Sequence, residues 1–414
     1  MTRKAMAAGV ALAALLGLAG ATEAEDDFES HLLMRGVYDG LLESPSTVPV
    51  SNPATRRVSQ VPLNSHSWDE LGEVSLRSYG AWNAMPQLRL EWNLLGTAVD
   101  SSFPISPTAQ PLGRSAVLER QPIGESDRQV EVVVDQLNLR WQDAQASLVL
   151  GRQVVNLGQN FYFSPLDLFD PFQPQATYRD FRPGVDALRG TWNLGHFTQV
   201  EAVGVAGYEP MPEGTNATQQ ALWLDGPKGQ GSLIARGQSG GDSWLATALG
   251  GRFAGEGVGG GSLQVETLGS SWTLEALEAS SLDAAPGTSQ GRSQATLGWT
   301  RQWNSWLDTR AEWSELSSTT SQPSGSASSV TGEAAVSATI QATPLWTLAP
   351  VLVWFGDPGQ ALAILDSGYS TSENGSLHLV FELPLIFYYS GGQGLPTRTE
   401  SLPSALSVDY RLEI

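Results

Sequence analysis

The C-terminal segment of this chain constrains its fold most. Leu406, Val408, Tyr410, Leu412 and Ile414 fall on one face, and Ser407, Asp409, Arg411 and Glu413 on the other. A period of two puts successive side chains on opposite faces of a sheet. The segment is therefore a strand with one apolar and one charged face.

The same rhythm recurs along the chain. Leu88, Leu90, Trp92 and Leu94 alternate with Arg89, Glu91 and Asn93. Leu137, Leu139 and Trp141 alternate with Asn138 and Arg140. Trp272, Leu274 and Ala276 alternate with Thr273 and Glu275, and Leu377, Leu379, Phe381 and Leu383 with His378, Val380 and Glu382. Leu307, Ala311 and Trp313 share a face opposite Asp308, Arg310 and Glu312. Alternation alone suits a soluble sandwich as well as a membrane barrel. Two features favour the barrel. The segments run about ten residues, the length of a tilted membrane strand. Trp and Tyr recur near their ends, where an interfacial girdle would sit.

About eighteen such segments can be read, within a range of 14–18, the first at 31–42 and the last at 404–414. Short connections such as Asp143–Ala144, Leu194–His196, Gly269–Ser270 and Thr343–Pro344 alternate with longer ones. The longer segments are 43–72, 99–129, 156–184, 208–230, 254–261, 281–291, 317–330 and 389–403, while 368–375 reads as a long turn. Gly259–Gly261 fall in one of these loops, and the Ser/Thr-rich stretch 317–330 reads as a mobile outer loop. A sheet edge left open in lipid would strand backbone donors and acceptors, so the sheet must close. The expectation is all-β: a single closed antiparallel transmembrane β-barrel with short periplasmic turns and long outer loops. Its first strand should pair with 404–414. A barrel of this size is too wide to fill with side chains alone.

Composition narrows the function. The chain has 414 residues, no Cys, and a formal net charge of −20. Such a surface repels phosphate backbones, so nucleic acid is not an expected partner. Without Cys there is no disulfide scaffold or thiolate metal site. Arg3 and Lys4 precede an apolar run over Ala5–Ala19, and small residues follow at Ala21 and Ala24. This reads as a signal peptide at 1–24, leaving a barrel at 25–414 with 21 basic and 42 acidic residues.

One segment stands apart. It runs Gly151-Arg152-Gln153, then Gly158, then Phe161-Tyr162-Phe163-Ser164-Pro165-Leu166-Asp167-Leu168-Phe169-Asp170-Pro171-Phe172, and ends Tyr178-Arg179-Asp180-Phe181-Arg182-Pro183-Gly184-Val185-Asp186. This pattern resembles porin-type bacterial outer-membrane barrels, loosely those of the alginate-export group and related porins. The alternating C-terminal strand is similar to the terminal assembly signal of such barrels, with Ile414 where Phe is usual. The resemblance implies a transport barrel and names no substrate. By analogy, the loop after the fifth strand would fold inward and constrict the pore. A loop so rich in aromatics and prolines should pack on something, whether the inner wall or its neighbours. Asp167, Asp170, Arg179, Asp180 and Arg182 would then carry the field of a constriction, or pair with one another to pin the loop.

Charged wall positions form a second candidate group: Arg89, Glu91, Arg140, Glu266, Glu275, Asp308, Arg310, Glu312, Glu382 and Arg411. Rings of like charge set ion selectivity, whereas a mixed-sign network stiffens a wall. The acidic excess predicts a modest preference for cations, whereas Arg152, Arg179, Arg182 and Arg189 around the constriction would favour anions if they face the opening unpaired. No catalytic residue, metal site or cofactor is expected. The four histidines, His31, His66, His196 and His378, show no metal-ligand spacing, and no Gly-x-Ser-x-Gly elbow occurs. The leading expectation is an outer-membrane channel for small hydrophilic or charged solutes. Its partners would be outer-membrane lipid, lipopolysaccharide and the barrel assembly machinery. The rival readings are a plugged barrel displaying its loops and a secreted soluble all-β binding protein.

Overall fold

The structure, a computed structural model, describes residues 28–41, 48–52, 57–61, 69–102, 113–115, 118–124, 127–169, 174, 176, 179, 181–208, 231–282, 289–322, 325–356, 360–386 and 405–413. Eighteen strands close into one antiparallel barrel. They are β1 (Phe28–Leu41), β2 (Asp69–Met85), β3 (Leu88–Ser101), β4 (Arg128–Gln142), β5 (Ala146–Gln153) and β6 (Val185–Asn193). There follow β7 (Gln199–Val205), β8 (Ser232–Gly241), β9 (Trp244–Phe253), β10 (Glu256–Thr267), β11 (Ser270–Ser281) and β12 (Ser289–Asn304). The last six are β13 (Leu307–Gln322), β14 (Gly325–Thr343), β15 (Trp346–Phe355), β16 (Gln360–Ser372), β17 (Gly375–Ile386) and β18 (Ala405–Glu413). Each strand pairs with its neighbours in sequence. β1 closes the ring against β18, with Leu33 opposite Glu413 and Leu41 opposite Ala405. Arg35 ties this seam through its ion pair with Asp409 at 2.8 Å.

Exposure follows the two-residue period. Leu263, Leu274 and Leu297 lie side by side on the outer face and are exposed, while Glu275 and Thr296 between them point inward and are buried. The outer face near the short turns carries an aromatic belt. Trp82, Trp141, Trp192, Trp244, Trp272 and Trp346 are all exposed there, each within a few residues of a tight connection. Indole prefers the boundary between hydrocarbon and water, so this belt marks one membrane interface. An outer wall this apolar excludes the soluble sandwich, whose outer face would be polar.

Three loop assignments need correction. Residues 256–261 belong to β10, so Gly259–Gly261 are strand residues, and the expected loop 254–261 shrinks to a turn at Ala254–Gly255. Glycine masks the strand in sequence because it carries no hydrophobic side chain to show the alternation. The stretch 317–330 is no loose loop. Its described residues extend β13 and β14 into a long hairpin, with Ser317 opposite Val330 and Gln322 opposite Gly325. Ser and Thr pair well across strands, and there the sheet has no lipid face to betray it. The expected long turn 368–375 is mostly strand, with Ser372 paired to Gly375. Inside the segments expected as loops, Val48–Asn52 pairs with Arg57–Val61, and Glu119–Gly124 pairs with the upper part of β4.

Candidate functional site

The described residues of the connection from β5 to β6 lie inside the barrel. Its first leg buries Val155, Leu157, Leu166 and Phe169 against Ile234, Leu249, Val258 and Leu277 of the inner wall. The inner face of β8–β11 is therefore apolar beneath the loop, where the sequence predicted charge or small polar groups. Leu166 is fully buried, and Gly260 makes its seat. A Cβ at Gly260 would lie 3.0 Å from Leu166 Cδ2 and 2.4 Å from the Ala276 carbonyl oxygen. The glycine run of β10 thus lets a loop side chain approach the wall backbone.

Two wall carboxylates hold the next five residues by their backbone. Glu275 accepts hydrogen bonds from the amides of Gln159 and Asn160, the latter at 2.8 Å, and from Ser164 Oγ at 2.7 Å. Glu312 accepts the amides of Phe161, Tyr162 and Phe163 at 2.7, 2.8 and 2.9 Å. Successive amides converging on an anion form a nest, and each bond is strengthened by the carboxylate's charge. The turn that aims them is tight: a Cβ at Gly158 would fall 1.7 Å from Ser164 Oγ. The sequence marks Glu275 and Glu312 as lumen-wall positions, for a selectivity ring or a mixed-sign network, and names no loop partner for them. They serve instead as anchors for the loop.

A cationic stack follows. The Arg179 guanidinium lies 4.3 Å from the Phe161 ring centroid and 4.8 Å from that of Tyr162, while Arg310 of β13 lies 3.9 Å from Phe161. Arg179 also donates to the carbonyls of Ala176 and Pro174, both at 2.9 Å, and to that of Phe161. Burial disfavours its charged form and pulls its pKa down to about 10. Arg182 forms an ion pair with Asp167, which is buried. The return leg reaches another part of the wall. Phe181 meets Tyr79 of β2 edge-on at 5.3 Å and lies 4.3 Å beneath the Arg77 guanidinium. The loop therefore touches β8–β15 on one side and β2 on the other.

The remaining predicted residues are scattered. Asp170 and Asp180 lie outside the described residues. Glu91 pairs with Arg89 at 3.3 Å and with Arg140 at 3.4 Å, a mixed-sign cluster. Arg411 pairs with Asp409 at 2.9 Å. Glu266 is exposed on the inner face near the short-turn end, and Glu382 is half-buried on the inner face of β17. A buried network on β2–β6 was not foreseen as a unit. Arg77 binds Asn93 at 2.6 Å and Asp135 at 2.7 Å, and Arg152 binds Asp186 at 2.7 Å. The register puts Arg152 directly opposite Asp186, so the two ends of the distinctive segment are cross-strand partners.

Between the loop and the β13–β16 wall lies a recess of about 450 Å³. Phe161, Tyr162 and Arg179 line it from the loop, and Asp308, Arg310, Ser337 and Asp366 from the wall. Asp366 is engaged by His378 at 3.0 Å.

The sequence matches no protein-family model and no curated protein. Solved structures do match in fold. OccK7 (OpdD) of Pseudomonas aeruginosa superposes with a TM-score of 0.53 at 10% identity, over 94% of this chain and 99% of that chain. OccAB3 of Acinetobacter baumannii gives 0.52 at 9% identity, over 94% and 99%. OccD3 (OpdP) of Pseudomonas aeruginosa gives 0.50 at 10% identity, over 96% and 93%. At such identities the likeness is one of fold, a closed barrel of the porin type.

Proposed function

We propose that this chain is a bacterial outer-membrane channel through which small hydrophilic solutes diffuse passively. The observation that carries the reading is the loop strapped across the lumen by Glu275 and Glu312, beside an open recess lined by charged and hydroxyl groups. A barrel built only to display its loops has no need of a charged recess beside an anchored strap. In this reading residues 1–24 are a signal peptide and 25–414 the mature barrel. The barrel assembly machinery would insert it, with lipid and lipopolysaccharide around its apolar face. The short turns face the periplasm and the long loops face outward.

Selection is by size and by weak electrostatics. The acidic excess of the chain draws cations toward the mouth, since low-dielectric walls focus the field. At the strap both signs are present, with Arg179 and Arg310 facing Asp308 and Asp366. A modest cation preference follows. Purified barrel in planar bilayers should give stepwise, ohmic conductance. A folded barrel that raises no conductance overturns the channel reading in favour of a plug.

A further inference from the structure

The recess beside the strap holds two opposite charges that the fold leaves unspent. Asp308 and Arg310 sit on the same face of β13, two residues apart, which in a strand is roughly 6.8 Å between Cα atoms. Neither makes an ion pair among the described residues, and they do not pair with each other. Oδ1 of Asp308 is buried without any hydrogen-bond partner. Arg310 has its guanidinium over the Phe161 ring. On the same stretch of wall Glu312 is engaged by loop amides and Asp366 by His378. A buried carboxylate oxygen with no donor is costly, and fixed protein donors do not relieve this one.

We infer that the recess is a binding site for charge-separated zwitterions, molecules with an ammonium and a carboxylate several ångströms apart. The ammonium would pair with the Asp308 carboxylate on its accessible side and the carboxylate would accept from Arg310, with the connecting chain lying along the wall. Either charge alone would satisfy one wall residue and leave the other bare. An α-amino acid such as glycine, with its charges on adjacent carbons, is too short to reach both. A volume of about 450 Å³ admits such a solute. The inference rests on the channel reading for its physiological meaning, but binding can be measured without it.

The test is a ligand-observed NMR titration of the folded full-length barrel in detergent, with folding checked by heat-modifiable gel migration. The probes are 6-aminohexanoate, 4-aminobutanoate, glycine, hexanoate and hexylammonium. Wild type should bind 6-aminohexanoate saturably, at least about fivefold more tightly than glycine or either singly charged analogue, as two modest ion pairs would give. Asp308→Asn and Arg310→Gln should each erase that margin, Asp308→Glu should restore much of it, and Glu266→Gln should leave it intact. Equal binding of all five probes, or an unchanged margin in Asp308→Asn, overturns the inference. A barrel that conducts ions yet shows no zwitterion margin refutes the inference alone. A barrel that shows the margin but does not conduct refutes the channel reading and leaves the site standing.

Discussion

Glu312 on β13 accepts the backbone amide of Phe161 at 2.7 Å, and that contact fixes where the strap lies. The next two amides reach the same carboxylate, so one side chain sets three consecutive residues of the loop. Hydrogen bonds to a charged acceptor contribute about 1.5–3 kcal/mol each, against about half that for neutral ones.

Glu312→Gln should therefore loosen the strap without unfolding the barrel. The amide side chain keeps one acceptor oxygen but turns N–H donors toward the one or two backbone amides that the other carboxylate oxygen had accepted. Single-channel records should become noisier, with excursions to higher conductance, and Glu275→Gln combined with it should deepen the effect. Quiet currents of wild-type size in the double variant would show that the apolar packing of Leu166 and Phe169 holds the loop by itself.

A glycine pair separates loop seating from strand propensity. Gly260→Ala puts a Cβ 2.4 Å from the Ala276 carbonyl oxygen and 3.0 Å from Leu166, whereas a Cβ at Gly259 meets nothing within 4 Å. Overpacking of this kind costs typically about 1–3 kcal/mol. Gly260→Ala should lower the temperature at which the barrel unfolds on gels, and Gly259→Ala should leave it unchanged or raise it slightly. Equal effects at both positions would mean that β10 tolerates the crowding by shifting.

The barrel was legible because lipid enforces a simple rule on every strand. Leu274 and Glu275 must face opposite ways, and the sequence says so. What failed were places where that rule lapses. Gly259–Gly261 carry no side chain to alternate, and the hairpin of β13 and β14 rises past the apolar band on Ser and Thr. The distinctive loop segment was legible in the sequence, and its partners on the wall were not. Phe161 and Arg179 were marked by their unusual neighbourhood. No spacing rule reveals that Glu275 and Glu312, far along the chain, bind backbone amides of that loop. Such partners are chosen by the path of the main chain, which leaves no mark on residue type.

Lipid contact itself can be tested on β11. Leu274 is exposed between Leu263 and Leu297. Leu274→Arg should destabilise the folded barrel by roughly 1–2 kcal/mol, since it lies two residues inward from the Trp272 belt and the cost of a basic side chain rises from about 0–1 kcal/mol at the interface to about 2–4 at the midplane. Thr273→Arg, one residue away on the inner face, should cost far less. Folding titrations into phospholipid vesicles measure both. Equal costs would place this wall away from lipid.

Selectivity tests the balance of charge at the strap. The chain carries 43 acidic and 23 basic residues, which favours cations at a distance. Close to the strap the acids are mostly engaged: Glu275 and Glu312 by amides, Asp167 by Arg182 and Asp366 by His378. Arg310 faces the recess with only an aromatic ring beneath it. The preference for cations should thus come from the mouth and wall and be opposed at the strap. Two consequences follow. Raising salt from 0.1 M to 1 M shortens the screening length from about 10 Å to about 3 Å, so the cation preference should fade toward neutrality. Arg310→Gln should strengthen it, because removing the opposing charge leaves the acidic field unbalanced. Reversal potentials across a salt gradient read both effects. An anion preference in wild type that Arg310→Gln abolishes would mean that the strap, not the wall, sets the sign. A preference that survives 1 M salt and ignores Arg310 would place the filter in neither.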